Sequence, residues 1–295
     1  MTKKSNTKVI IIGGGLAGLC ASIHLAKEGI EVMLIEKNDY PKHKVCGEYV
    51  SNEVLPYLND LGFNPRDHGA KKITEFQLTT RANKEIKASL PLGGFGMSRY
   101  EMDYQLYQLA LEKGVKILKD LVLKIIFSDD VFQVETKKSG VLSSEIVIGA
   151  FGKRSNLDIE MQRDFIKRKS PYLGVKIHVS GDFPEEKVAL HNFKGGYCGV
   201  SKVENNHINL CYITSFEAFK KFKNIEEFQE QVVYKNDALK SIFKNTEPQF
   251  DQPLSISQIS FETKSPLENH MIMCGDSAGM IHPLCGNGMG MAIRS

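Results

Sequence analysis

A β-branched run that stops on three glycines constrains this chain more than any other feature. Lys8-Val9-Ile10-Ile11-Ile12 reads as a buried strand, and Gly13-Gly14-Gly15-Leu16-Ala17-Gly18 follows it before a helix-like run to Gly29. A second apolar strand, Glu31–Ile35, ends at the acid Glu36. Gly13, Gly15 and Gly18 form GxGxxG with a strand before, a helix after and an acid about 20 residues on. Gly13 permits the tight turn, and backbone at Gly15, Leu16 and Ala17 can approach a pyrophosphate. Gly18 lets the helix pack on the strand, and the helix N-terminus faces the phosphate charge. Glu36, followed by Lys37, can accept from both hydroxyls of a ribose. The unit predicts an adenine dinucleotide and leaves its identity open.

The totals bound the rest. A length of 295 residues allows one large or two ordinary domains, and 42% hydrophobic with 25% charged residues is a globular composition. Lys plus Arg is 38 against 35 acids, so nucleic-acid binding is not expected. Six cysteines contain no CxxC pair, which argues against a zinc site or a disulfide framework and for reduced thiols in a cytoplasmic protein. The polar lead Met1–Thr7 does not fit a signal peptide, and no 18-residue apolar span occurs. A peripheral membrane contact stays open.

Along the chain, Asn38-Asp39-Tyr40-Pro41 is a loop leading to Lys42–Glu48, and a helix is expected over Ser51–Leu61, closed by Gly62. Ile73–Leu78 alternates as a strand, Lys84–Leu90 is its hairpin partner, and Pro91–Phe95 is a glycine-containing return. Ser98 with Glu101 predicts a capping box opening a helix that Gly114 ends. Val115–Leu118, Leu121–Phe127, Val131–Thr136 and Val141–Ile148 read as strands. Arg163–Lys169 reads as a solvated basic connection. Leu173–Val179, Val188–Asn192, Tyr197–Val203 and Ile208–Thr214 predict an antiparallel sheet. Phe216, Phe219, Phe222 and Phe228 have helical spacing, with Lys220, Lys221 and Lys223 as a solvated face; a short helix is expected over Asn236–Phe243. Ser257–Phe261 and His270–Cys274 are the last expected strands.

The second of these delivers Gly275-Asp276 into a glycine-rich turn, repeating the opening logic at the far end of the chain. Asp276 suits a ribityl or ribose hydroxyl. Pro283 leads into Gly286-Asn287-Gly288-Met289-Gly290, which puts open backbone N–H groups at a helix start, a site for a developing anion.

Three blocks now carry a resemblance: Gly13–Gly18 with Glu36, Ser98-Arg99 to Asp103, and Gly275-Asp276 through Ala292. The sequence resembles the FAD-dependent family of geranylgeranyl reductases, flavin halogenases and single-component aromatic hydroxylases. Lys44-Val45-Cys46-Gly47-Glu48 resembles a loop of the geranylgeranyl-reductase-like branch. The resemblance implies an α/β fold: a Rossmann-like, glutathione-reductase-type FAD domain (residues 1–70, 97–158 and 255–295) with an inserted antiparallel-sheet α+β substrate domain (71–96 and 159–254). It implies FAD laid out with pyrophosphate at Gly13–Gly18, adenosine ribose at Glu36, ribityl chain near Asp276 and ring system beside Pro283–Met289. The resemblance further implies that Arg99 is the family's arginine near the cofactor and that Cys46 and Gly47 lie near the flavin. Relatives continue past Ser295, so the chain is expected to be short at its C-terminus.

Two departures matter. The hydroxylases carry Asp-Gly where this chain has Phe151-Gly152 in Ala150–Ser155, which puts their way of using NADPH in doubt. The chain has no tryptophan, so the tryptophan-bearing halogenase motif is absent and halogenation is not expected. Reduced flavin delivers hydride, and double-bond reduction also needs a proton. Cys46 and Glu48 are the candidates, each with a structural alternative: a packing thiol and an ion-paired carboxylate. His43 and His282 are weaker candidates, and Tyr197 could face the flavin. The leading expectation is a reductase of a small apolar substrate, with NAD(P)H as transient electron source. A monooxygenase of an aromatic or polyketide-like substrate and a truncated, non-catalytic FAD-binding protein remain alternatives.

Overall fold

The structure is a computed structural model that describes residues 6–168, 170–257 and 259–295. Met1–Ser5 of the polar lead, Lys169 and Gln258 lie outside the described residues.

The strands are β1 (Asn6–Ile12), β2 (Val32–Glu36), β3 (Tyr49–Ser51), β4 (Lys71–Thr79), β5 (Glu85–Gly96), β6 (Lys116–Lys119), β7 (Val122–Ser128), β8 (Val131–Thr136) and β9 (Gly140–Gly149). They continue with β10 (Tyr172–Ser180), β11 (Lys187–Phe193), β12 (Gly196–Lys202), β13 (Ile208–Ser215), β14 (Glu247–Pro248), β15 (Leu254–Ile256), β16 (Leu267–Glu268) and β17 (Met271–Met273). Helices α1 (Leu16–Lys27), α2 (Leu55–Leu61) and α3 (Arg99–Glu112) pack near the N-terminus, α4 (Asn156–Glu160) follows β9, and α5 (Phe216–Phe219), α6 (Ile225–Gln231) and α7 (Asp237–Lys244) follow β13. A last helix, α8, spans Gly288–Arg294.

One sheet runs β16-β17-β9-β1-β2-β6, with the β7–β8 hairpin paired to the start of β9. Its centre is parallel, as βαβ connections require: Ile10 pairs with Met33 on one side and Val147 on the other, and β17 adds beside β9. Strands with apolar residues on both faces suit a sheet covered on both sides. Val9, Ile11 and Leu34 bury one face against Leu19, Ile23, Met102 and Leu106 of α1 and α3; Ile10, Ile12 and Ile35, with Val147 and Met273 beside them, cluster on the other face with Val122, Phe132, Val134 and Leu157.

The second sheet runs β14-β10-β13-β12-β11-β4-β5-β3, with β15 also beside β10. It is not purely antiparallel, because β4 and β11 meet in parallel across more than a hundred residues of chain. One face, through Val175, Ile177, Leu210, Tyr212 and Val200, packs on Phe228, Val233 and Leu239. The other face looks toward the first sheet.

Several expectations need correction. Pro91–Phe95 is not a separate return but part of β5: Gly94 and Phe95 pair with Ile73 and Lys72, and the residues between Ser89 and Gly94 bulge opposite Thr74 of β4. β3, inside the expected 1–70 segment, and β15, which straddles the expected boundary at 254/255, both join the second sheet. The phenylalanine run is broken after Phe219; Phe219 and Phe222 pack edge-on against Phe228, while Phe216 is exposed. The strand expected at Ser257–Phe261 lies earlier, at β15. Ser98 caps Glu101 N–H at 3.0 Å, but the box does not close. Ser98 N–H donates instead to Glu204 Oε2 (2.8 Å), and Glu101 accepts from Gln105 (2.8 Å). Arg163 is buried, not solvated: it pairs with Asp158 at 2.9 Å and donates to Ser277 O at 3.0 Å. Among the described residues no helix is long and apolar enough to cross a membrane.

Candidate functional site

The glycine loop is fixed by close approaches. Gly13 has φ +106°, and a Cβ there would lie 2.3 Å from Ala150 O. A Cβ on Gly18 would lie 1.9 Å from Gly13 O, so Gly18 serves helix packing and does not face the cavity described below. Gly14 is equally constrained, its Cβ position being 1.8 Å from the Tyr40 hydroxyl, which donates to Gly14 O at 2.5 Å. Gly15 caps α1 without a side-chain hydrogen bond, leaving the first helical amides free. The space a Gly15 Cβ would enter is bordered by Arg99 Nη2 (3.7 Å) and Lys44 Nζ (3.9 Å). Two cations over a bare helix N-terminus form a cradle for a diphosphate, and on that observation the residues fit the dinucleotide.

Both cations are held from behind. Arg99 grips Asp103 through two bonds of 2.6 and 2.8 Å, and Lys44 reaches the same carboxylate at 2.7 Å. Burial opposes charge on Asp103, but Arg99 and then Lys44 outweigh it and hold its carboxyl below the usual range. Arg99 is therefore a half-buried, pre-aimed cation rather than a freely solvated surface charge. Glu36 spends Oε2 on Gly14 N–H (2.7 Å) and Oε1 on Asn38 N–H (2.8 Å) and Asn38 Nδ2 (2.6 Å). One Oε2 lone pair remains for a ribose hydroxyl, not an acceptor for each of two.

A cavity of about 970 Å³ runs from this loop across the molecule. Gly13, Gly15, Leu16, Ala17, Glu36, Lys37, Cys46, Gly47, Glu48, Arg99, Gly275, Asp276, Pro283, Gly286, Gly288 and Met289 all border it. Asn287 does not: its Nδ2 donates to Glu53 at 2.7 Å, and its Oδ1 is buried against Gly290 without a partner. Burial raises the Asp276 pKa, with Arg99, Lys264 and Lys153 pulling the other way. Lys264 donates to Lys153 O (2.8 Å) and Asp276 O (2.6 Å), and Ser277 Oγ accepts from Gly152 N–H (2.8 Å). These bonds tie the Phe151–Ser155 loop to the Gly275–Ala278 turn.

The far wall is the open face of the second sheet. Strand alternation and register put Lys176, Cys211, Gly199 and Leu190 in one row and Gly174, Ile213, Tyr197 and Asn192 in the next. A third row holds His178, Asn209, Ser201, Val188 and Phe76. Phe76, Val188, Leu190, Tyr197, Gly199 and Ile213 make this wall largely apolar where it meets the cavity.

The polar corner of the face pins the Cys46–Glu48 loop. Asn209 Nδ2 donates to Cys46 O (3.1 Å) and Gly47 O (2.9 Å). Glu48 is fully buried with a left-handed φ of +56°. Its carboxylate accepts from Lys176 and from Arg99 N–H (2.8 Å) and pairs with His178 Nε2 at 2.7 Å. Burial alone would raise its pKa; Lys176 and His178 prevail and hold it below the ordinary range. In this arrangement Glu48 is an ionised acceptor, the ion-paired alternative named above rather than a proton donor. Cys46 is the opposite case: burial raises its thiol pKa against the pull of Arg99, so it keeps its proton.

The weaker candidates also separate. His43 borders the cavity, stacked on Tyr100 at 4.4 Å, and burial with Lys176 lowers its pKa to about 4, so it is neutral. His282 caps Leu284 N–H at 3.3 Å and packs on Phe261, outside the cavity. Sequence reasoning missed Lys176, His178, Asn209 and Lys264. Lys176 and His178 had a signal, as alternate polar residues in an apolar strand.

Residues 6–295 match the profile of the FAD binding domain family, and the chain belongs to that family. Among curated proteins it is 23% identical over 320 residues to a tryptophan 2-halogenase of Chondromyces crocatus, covering 100% of this chain and 60% of that protein. It is 23% identical over 335 residues to an FAD-dependent monooxygenase of Penicillium canescens, covering 97% and 69%. The chain thus spans about 60% of the length of the halogenase it matches. Among solved structures, a flavin-dependent brominase superposes with a TM-score of 0.82 at 18% identity, covering 98% of this chain and 76% of that one. A geranylgeranyl bacteriochlorophyll reductase-like protein of Thermoplasma acidophilum gives 0.78 at 18%, covering 98% and 75%. The fold is that of FAD-dependent oxidoreductases, and the cofactor is FAD. The curated relatives include halogenases and monooxygenases.

Proposed function

We propose that the protein reduces a double bond of a small apolar substrate, drawing electrons from NAD(P)H. The observation that carries this reading is one continuous cavity. It joins the Gly13–Gly18 cradle and the Gly275–Met289 turns to an apolar sheet face, with a protonated thiol, Cys46, at the junction. In this reading residues 1–70, 97–158 and 255–295 hold the cofactor, and 71–96 and 159–254 supply the substrate wall, with β3 and β15 reaching into that wall.

Bound FAD supplies hydride chemistry, and the protein supplies position, charge and a proton. Amides of the first turn of α1, with Arg99 and Lys44, bind the diphosphate. Phe76, Val188, Leu190 and Ile213 hold the apolar substrate and exclude water. Cys46 gives its proton to the alkene carbon that does not receive hydride, so the product gains two hydrogens. Arg99 lowers the cost of the resulting thiolate, and solvent restores the proton. Asn209 and Glu48 hold the loop that aims the thiol.

Anaerobic mixing of reduced, FAD-loaded protein with geranylgeraniol should reoxidise the cofactor and yield saturated product, and Cys46→Ala should slow that step at least tenfold while FAD binding persists. Reoxidation by oxygen alone would defeat the reading. A monooxygenase acting on an aromatic substrate is the second reading, favoured by the Penicillium canescens relative. Oxygen uptake coupled to substrate hydroxylation distinguishes it.

A further inference from the structure

We propose that Gly199 sets the depth of the substrate chamber, and that a flat ring of the substrate lies on the strand backbone there. The inference rests on the chamber reading above and adds where and how the substrate seats. Gly199 lies at the centre of the wall, between Cys211 and Leu190 on neighbouring strands and between Tyr197 and Ser201 on its own, and it borders the cavity.

Nothing in the fold requires a glycine at this position. Its φ is outside the left-handed region, and an added Cβ would meet only Cys211 O and Leu190 Cδ2, both at 3.7 Å, an ordinary contact. Other glycines of this sheet differ. A Cβ on Gly196 would lie 2.0 Å from Ile213 O, and one on Gly174 would press on Ile256, Ile259 and Val45 at 3.1 to 3.3 Å. Gly196 is demanded by backbone crowding, and the slot at Gly174 is already filled by neighbours. At Gly199 the missing side chain leaves space that belongs to the cavity.

Glycine weakens a strand interior, and where sterics do not demand it, it marks a place where a ligand approaches the backbone closely. The depression has a definite shape. Strands about 4.8 Å apart and a rise of about 3.3 Å per residue put its bounding residues about 10 Å apart across the strands and about 13 Å apart along them. That is a shallow, flat-bottomed plate rather than a tube. It suits the face of a ring system, with Tyr197 and Leu190 as edges.

The experiment uses the FAD-loaded protein and the variants Gly199→Ala, Gly199→Val and Gly199→Phe. Binding of phenol, 2-naphthol and 1-hydroxypyrene is followed by equilibrium dialysis and, separately, by perturbation of the flavin absorbance, beside FAD titration and thermal melting. Affinity for the two larger probes should fall stepwise with side-chain size, by more than tenfold for Gly199→Phe, while phenol, FAD affinity and melting temperature hold. Ring binding indifferent to the substitutions overturns the proposal. So does a parallel loss of FAD affinity, which would place Gly199 in the cofactor site, and so does a wild type that takes up none of the probes. If the wild type binds rings without perturbing the flavin, the chamber reading itself fails; if it perturbs the flavin and the variants match it, only the role of Gly199 fails.

Discussion

Lys176 and Glu48 form an ion pair in which neither side chain touches solvent, 128 residues apart in sequence. A buried pair of this kind contributes little net stability when intact, but removing one partner strands a charge. Glu48→Gln and Lys176→Met should each cost about 3–5 kcal/mol, and the double variant should cost less than the sum. Urea unfolding of the four proteins measures the coupling, and strict additivity would mean that the pair does not interact.

The same carboxylate has a pH signature. Its folded pKa lies below its unfolded value, so its contribution is fully present above the ordinary carboxylate range near 4.5 and is lost as pH falls through the folded value. His191 acts over a higher window. Burial lowers its pKa from 6.5 to about 4, so the unfolded chain takes up a proton first as pH drops. Stability should fall by roughly 3 kcal/mol between pH 6.5 and 4 on that account. His191→Phe should flatten the pH dependence of the urea midpoint in this interval; an unchanged slope would clear His191 of the effect.

Arg99 and Lys44 should govern cofactor affinity. Each charge-assisted hydrogen bond contributes about 1.5–3 kcal/mol, so Arg99→Met or Lys44→Met should weaken FAD binding about ten- to a hundredfold. Fluorescence titration at two salt concentrations tests it, since the variants should also show a shallower salt dependence.

Gly14 and Gly18 should respond differently to rescue. Alanine at Gly14 meets the end of a side chain, the Tyr40 hydroxyl, whereas alanine at Gly18 meets backbone oxygen. Gly14→Ala should lose FAD binding and regain a measurable part of it with Tyr40→Phe. Gly18→Ala should gain nothing from the same second change. Equal rescue of both would show that the loop tolerates more movement than its contacts imply.

The dinucleotide half was legible because its constraints are local: GxGxxG, Glu36 and the Gly275-Asp276 turn announce themselves by spacing. The hairpin's full length was not, because Pro91, Gly93 and Gly94 are breakers by local preference, and only the pairing of Gly94–Gly96 with β3 and β4 beyond the bulge carries the strand through them. Glu48 was visible as a candidate but its role was not. Whether a carboxylate donates a proton depends on Lys176 and His178, which tertiary structure alone brings to it. Arg163 looked solvated for the same reason, its partners Asp158, Ser277 and Glu268 lying in other segments. Asn287 shows the reverse: its motif was conspicuous, yet Glu53 claims its side chain.

The pairing of β17 with β9, beside β1, sets a timetable for the cell. The diphosphate cradle leaves the ribosome early, and the strand that carries Asp276 to it leaves about 250 residues later. At ordinary translation speeds the interval is on the order of tens of seconds. During it the apolar edge of β9 has no partner in this chain. The cradle is thus synthesised well before the Gly275–Met289 turns that border the same cavity.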